Sequence, residues 1–332
     1  MFFSSTQILF MTTLILGTIL TISSPSWFTA WVGLELNLLS FIPLISSKNS
    51  QFSSEAALKY FLVQAMGSAI IILTASLWTI KFNETSYLFL LALLLKSGSA
   101  PFHFWFPNVM EGLFWPQALI LMTIQKIAPF SLMSYITPST SYLMFLAIIL
   151  SAIIGSLGGL NQTSLRKIMA YSSINHMAWM LSAITISNSA WITYFFIYST
   201  ISTLIVTTFF LYQSFYISQI IFAQTQSSLE KMISFLMLLS LGGLPPFAGF
   251  MAKWFILQEM VANNMIFVLL ILLGSTLITL FFYIRITISA FVLSAPKMKW
   301  QLYSFKMTTI PSALLFINFM GLLTPSLIFM LM

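Results

Sequence analysis

The residues able to do chemistry in this sequence are proton-titratable side chains set inside long apolar segments. Glu35 lies in WVGLELNLLSFIPLI, Lys96 in LLALLLKSGSAPFHFWFP, Lys126 in MTIQKIAPF, His176 in SSINHMAW and Lys253 in FAGFMAKWFILQEM. A helix rises 1.5 Å per residue, so Lys96, about ten residues into its segment, sits roughly 15 Å deep. That is the middle of a hydrocarbon core about 30 Å thick. Glu35, about eight residues in from the same side, reaches roughly 12 Å, and Lys126, entering from the opposite face, a similar depth. The matching depths of Glu35 and Lys96 permit contact between them. A charge at such depth costs a few kcal/mol and must face protein, water or another charge. A Lys96 alternately paired with and deserted by Glu35 takes up and releases a proton near neutral pH, and His103 and His176 are able to extend such a relay. A static ion pair that only clamps helices fits the same residues, as does simple packing for either histidine. Sodium transport is a weaker reading, because a cation site wants several converging oxygen ligands and the chain has one mid-depth Glu and no Asp.

The elements that must position these residues are membrane helices. Of the 332 residues, 59% are hydrophobic and 6% charged, which no water-soluble surface matches. Apolar runs are read at about 7–22, 25–46, 56–80, 86–106, 116–136, 140–160, 167–187, 190–213, 232–258, 264–290 and 308–331. The expected fold is an all-α polytopic membrane protein of about eleven spans. MFFSSTQILFMTTLILGTIL has no basic n-region or small-residue cleavage site and is read as the first span, not a removable signal. Loops after even-numbered spans carry Lys48, Arg166, Lys167, Lys231, Lys297, Lys299 and Lys306, against Lys81 alone after odd-numbered ones. The positive-inside rule then puts the even loops and the N-terminus on the cytosolic or equivalent side, with the C-terminus opposite. The net charge of +7 is thus a topology signal, scattered over loops and not a nucleic-acid stripe.

Two of the spans share a pattern. Gly98-Ser99-Ala100-Pro101-Phe102 and Gly243-Leu244-Pro245-Pro246-Phe247 both read G-x-x-P-F, five spans apart and therefore entering the membrane from opposite sides. This is expected of inverted repeats built around discontinuous helices, here about 7–136 and 140–290 with a closing helix at 308–331. Proline removes a helical hydrogen bond four residues back, so Pro101 is expected to free the Ser97 carbonyl, and Pro245 and Pro246 those of Leu241 and Gly242. Such breaks are places for water to enter. Lys253, about seven residues past the second break, is placed nearer the far face. Lys59, Lys81, Glu84, Arg285 and Glu259 are read as snorkelling to headgroups. Trp27, Trp31, Trp105 and Trp300 are read as interfacial anchors, and the many Met and Phe as lipid-facing filler.

Several chemistries have no residues to support them. The chain has no cysteine and two histidines, which leaves no disulfide, thiolate, iron–sulfur or first-row metal site. No nucleotide-binding glycine loop, nucleophile triad or haem motif occurs.

The motifs WVGLELNLLSFIPL, LLLKSGSAPFHFWFPNVMEG, TIQKIAPF, GGLNQTSLRKIMAYSSINHMAW and LSLGGLPPFAGFMAKW together resemble, over essentially the whole chain, the antiporter-like membrane subunits of mitochondrial NADH:ubiquinone oxidoreductase, respiratory complex I, in their insect form. The resemblance implies a proton path through Glu35, Lys96, Lys126 and Lys253, with His176 on a central polar axis. It implies an inner-membrane, multi-pass location with the N-terminus in the matrix and the C-terminus in the intermembrane space. It implies neighbours among subunits 4 and 4L, a lateral helix of subunit 5, accessory subunits and structural phospholipids. NADH, flavin, iron–sulfur clusters and ubiquinone would belong to other subunits, and no cofactor, metal or nucleic acid to this chain. Fourteen-helix relatives have three further N-terminal helices, which makes stand-alone cation/proton antiport a lesser reading. A scaffold role without its own proton path is another.

Overall fold

The computed structural model describes residues 5–46, 50–80, 85–136, 141–221, 228–245 and 247–292. Among these the chain is helical throughout, apart from one isolated antiparallel bridge between Ser164 and Tyr216. Long apolar runs without internal polar periodicity leave the backbone only its own hydrogen bonds to satisfy it, and in lipid that means helix. Among the described residues, seven helical stretches are long and apolar enough to cross a membrane, with Trp115–Ile136 taken as one stretch.

The chain divides into two compact units, Met1–Ser151 and Ala152–Met332. In the first, α1 (Ser5–Ser23) and α2 (Trp27–Ile45) pack closely at Gly17 and Gly33, where a Cβ on Gly17 would stand 2.9 Å from the Gly33 carbonyl oxygen. Small residues at a helix crossing let backbones approach in just this way. Ser26 caps α2 in a reciprocal capping box with Thr29, and Ser50 caps α3 (Gln51–Thr79). Helix α3 packs against both α2 and α4 (Thr85–Ser97). Then come α5 (Trp105–Gly112), α6 (Trp115–Met122) and α7 (Ile124–Ile136), and α8 (Ser141–Gly159) runs on into the second unit.

The second unit is arranged about α9 (Leu165–Ile186), whose residues from Ser172 to Ile184 are all buried although Ser172, Ser173, Asn175, His176 and Ser182 are polar. Packed on it are α10 (Asn188–Leu211), α13 (Ala248–Ala262) and α14 (Ile266–Val292), with α12 (Ser228–Gly242) on α10 and α14 and the short α11 (Ile217–Ile221) beside α14.

Most expected spans coincide with a helix, but three are interrupted. The 86–106 span is α4 and α5 with a linker between, and the 232–258 span is α12 and α13, as expected for the two discontinuous helices. The 116–136 span, expected to be continuous, breaks at Thr123 into α6 and α7. Thr123 leaves helical geometry (φ −115°, ψ −81°) while its amide and hydroxyl both still donate to the Leu119 carbonyl. The expected helix at 308–331 and the basic loop residues Lys48, Lys81, Lys297, Lys299 and Lys306 lie outside the described residues, as do Glu84 and Trp300. The expectation that Met and Phe fill a lipid-facing surface describes Phe52, Met66, Phe196 and Phe267, which are exposed, but not all of them. Met110, Met122, Met133, Phe106 and Phe130 are fully buried, because unbranched Met and flat Phe fill the gaps between irregular helix segments.

Candidate functional site

In the first unit the site is built at the end of α4. The helix stops at Ser97 because Gly98 takes the left-handed conformation (φ 75°) that glycine adopts without strain. Gly98 and Ser99 then donate their amides back to Leu94 at 3.1 and 3.2 Å. Pro101, which carries no N–H, lies beyond this helix end, and among the described residues the Ser97 carbonyl takes no hydrogen bond. The carbonyls of Leu95 and Lys96 take side-chain donors instead. Trp105 Nε1 donates to Leu95 O at 3.1 Å, and Gln64 Nε2, from α3, to Lys96 O at 3.2 Å.

Lys96 occupies the last turn of α4, only 6% exposed. Its aliphatic stem runs along α3 at Gly67, where a Cβ would stand 2.9 Å from Lys96 Cγ. Lys126, 1% exposed, sits in the first turn of α7, its amide bonded to the Thr123 carbonyl at 3.0 Å and its Nζ 5.0 Å from the centre of the Phe106 ring. Both lysines line one cavity of about 10 Å³, together with Tyr60, Gln64, Trp105 and Gln125 among others. That is room for about one water molecule. The Tyr60 hydroxyl donates to Gln125 Oε1 at 3.1 Å, and Gln125 Nε2 donates to Asn37 Oδ1 at 2.8 Å, so α3, α7 and α2 are tied by one buried chain of hydrogen bonds.

Glu35 is half-buried on α2, and its Oε2 is buried without a hydrogen-bond partner among the described residues. The contact with Lys96 that matching depth permits is not made. Among the described residues, the one ion pair closer than 4.0 Å is Lys59 with Glu55, at 2.6 Å on the exposed face of α3. Matching depth placed Glu35 and Lys96 at one level, but the Lys96 stem lies against α3 at Gly67, and depth carries no information on direction around a helix. His103 lies in the linker between α4 and α5, where its Nδ1 is 3.2 Å from Pro101 O and its ring stacks on Phe104.

In the second unit, α12 ends in the same way, with Gly243 at φ 84°. Here the lysine itself closes the break: Lys253 Nζ, from α13, donates to Gly242 O at 2.7 Å and Leu241 O at 3.4 Å. Its ammonium thus returns to the break, and the expectation that it sits towards the far face is corrected. A seven-residue separation on a helix that starts at Ala248 is spanned by the lysine's own length. Gly249 lets α13 begin this close to α12, since a Cβ there would come 1.8 Å from Ser240 O. Pro245 lies in the linker, and Pro246 is outside the described residues. His176, on α9, is hydrogen-bonded through Nδ1 to the Tyr194 hydroxyl at 2.8 Å, with the Tyr198 ring 5.0 Å away. Ser275 of α14 donates to Asn175 Oδ1 at 2.9 Å beside it in sequence.

Trp105, read as an interfacial anchor, is buried and capping a helix. Tyr60, Gln64, Gln125 and Asn37 were not singled out by the sequence reading at all. Their one signal is a neutral polar side chain deep in an apolar run, which is easily passed over beside charged ones.

Comparison with known proteins bears on this arrangement. The transmembrane family described as NADH:quinone oxidoreductase/Mrp antiporter matches residues 24–86 and 74–279. The chain is similar to NADH-ubiquinone oxidoreductase chain 2 of Anopheles gambiae, 48% identical with 98% of each chain covered. It is likewise similar to chain 2 of Oryctolagus cuniculus, 39% identical over 97% of this chain and 98% of that one. In fold it is similar to a chain of respiratory complex I from Thermus thermophilus (TM-score 0.82, 24% identity, 97% of this chain and 79% of that). A chain of an Mrp complex from a Dietzia species shares the fold at a TM-score of 0.73, with 16% identity over 87% of this chain and 61% of that.

Proposed function

The chain belongs to the NADH:quinone oxidoreductase/Mrp antiporter transmembrane family, and on that premise we propose that it is a proton-translocating membrane subunit of NADH:ubiquinone oxidoreductase, respiratory complex I, with carriers in both of its units. In the first, Glu35 biases Lys96 electrostatically, and Lys96 and Lys126 exchange a proton through the water-sized cavity they share. In the second, His176 and Lys253 are the carriers, Lys253 at a helix break of the same backbone design. The repetition of that break supports reading the segments at about 7–136 and 140–290 as inverted repeats.

The observation that carries the proposal is the cavity. Two buried lysines lining one space for a single water, together with the polar side chains of Tyr60, Gln64 and Gln125, form a place where a proton crosses without a charge entering lipid. A clamp that served packing alone would not need two like charges around one polar void.

The partners are the other subunits of the complex. Among them, subunits 4 and 4L, the lateral helix of subunit 5 and accessory subunits are the proposed neighbours, with phospholipid at the remaining apolar surface. The chain is multi-pass in the inner mitochondrial membrane, with the N-terminus in the matrix and the C-terminus in the intermembrane space, a placement supported by the loop charges. Redox groups, including NADH, flavin, iron–sulfur clusters and ubiquinone, are assigned to other subunits, a reading that for the iron–sulfur clusters is supported by a sequence without cysteine.

Replacement of Lys96 by Met in the assembled complex, reconstituted into vesicles, tests the function. Protons moved per electron should fall while the complex still assembles. Full stoichiometry at normal electron-transfer rate would overturn the proposal.

A further inference from the structure

The polar side chains buried along α9 differ in how far they reach. Ser172, Ser173 and Ser182 turn back on their own helix, donating to the carbonyls of Met169, Ala170 and Trp179 at 2.9, 2.7 and 2.8 Å. A tyrosine cannot do this, because its ring holds the hydroxyl well out from the backbone, so a buried phenol finds its partner on another element. Tyr194 of α10, 2% exposed, finds His176 of α9, 7% exposed: the phenol oxygen and Nδ1 are 2.8 Å apart. The Tyr198 ring, one turn further along α10, lies 5.0 Å from the imidazole, centre to centre. Among the described residues the Tyr194 hydroxyl has no other hydrogen-bond partner.

Two arrangements of hydrogens fit a neutral imidazole at this distance. If Nδ1–H donated to the phenol oxygen, the phenol's own hydrogen would be buried without an acceptor, which disfavours that arrangement by about five- to a hundredfold. If the phenol donates to Nδ1, its hydrogen is used and the ring keeps its own hydrogen on Nε2. We infer that Tyr194 is the positioning residue for His176: its hydroxyl donates to Nδ1, fixes the neutral ring as the Nε2–H tautomer and holds the ring against α10. With Nδ1 covered by the phenol, exchange of a proton with other groups falls to Nε2. The choice of tautomer is set by the partner of the other nitrogen, as for any histidine. The link to transport rests on the reading of His176 as a proton carrier; the tautomer rests on the geometry alone.

The test uses the assembled complex with isotope-labelled histidine. The infrared difference between the parent and His176→Leu isolates the ring C–N stretch of His176, whose position distinguishes the two tautomers. The parent should show the Nε2–H band, and Tyr194→Phe, which keeps the ring and removes only the hydroxyl, should show both. An Nδ1–H band in the parent overturns the inference, as does a Tyr194→Phe spectrum identical to the parent's. Protons moved per electron are measured in vesicles for Tyr194→Phe, His176→Leu and the two combined. Tyr194→Phe should lower the ratio, and in the His176→Leu background it should lower it no further, because it acts through the imidazole. A Tyr194→Phe complex that pumps like the parent, where His176→Leu does not, overturns the link to transport and leaves the carrier intact. A His176→Leu complex that pumps like the parent removes His176 as a carrier and the link with it. Should Tyr194→Phe fail to assemble, the band in the parent decides the tautomer.

Discussion

Lys253 Nζ stands 2.7 Å from the carbonyl oxygen of Gly242, across the break between α12 and α13. The half-helix α12 carries a partial negative charge at this end, and the ammonium meets it there.

Lys253→Met is therefore expected to leave two buried carbonyls without a donor, at about 1–3 kcal/mol for an unsatisfied buried group. Amide hydrogen exchange around Gly243 to Phe247 should quicken, while exchange around Gly98 stays unchanged. Equal exchange at both breaks in the variant and the parent would rule out the capping role.

Gly67→Val should displace Lys96 without altering its chemistry. A Cβ at this position meets the lysine stem at 2.9 Å, and overpacking of this kind typically costs about 1–3 kcal/mol. Protons moved per electron should drop more than complex abundance does. A variant that pumps normally would show the stem has room to give.

Gly249→Ala places a methyl 1.8 Å from the Ser240 carbonyl oxygen, a contact that only backbone movement relieves. The first turn of α13 must back away from α12 and carry Lys253 with it. Thermal stability of the complex should fall, and assembly yield with it. Parent-like melting would mean the two helix ends are more loosely apposed than described.

Tyr60→Phe removes the donor to Gln125 and one polar wall of the cavity, but leaves the Gln125–Asn37 bond in place. The stability cost should be small, about 0.5–1.5 kcal/mol. Proton transfer should slow more than stability suggests, measured as a rise in the solvent deuterium isotope effect on turnover. No change in that isotope effect would remove Tyr60 from the path.

Purified alone and placed in liposomes, the chain should exchange neither sodium nor potassium for protons. A sodium gradient that drives acidification in such vesicles would favour the stand-alone antiporter instead.

Much of the framework was legible in the sequence because lipid imposes simple rules. Runs of about 20 apolar residues gave the spans, and the Gly of each G-x-x-P-F pattern is where its helix turns left-handed. The mid-depth charges were legible because charge is costly there. The break at Thr123 was not, since neither glycine nor proline marks it. Trp105 was misread because an amphipathic ring beside a helix end looks the same in sequence whether it meets headgroups or a buried carbonyl. The Glu35–Lys96 contact failed for the reason that depth along a helix and direction around it are separate coordinates, and only the first can be counted from residue numbers.

The size of the cavity between Lys96 and Lys126 has a consequence for selectivity. A space of about 10 Å³ admits one water, whereas an alkali cation arrives with a shell of several oxygens and is costly to strip. On the proposed function, passage at this point is decided by volume before it is decided by charge: a hydron would be handed from one nitrogen to the next, and a hydrated metal ion turned away at the door.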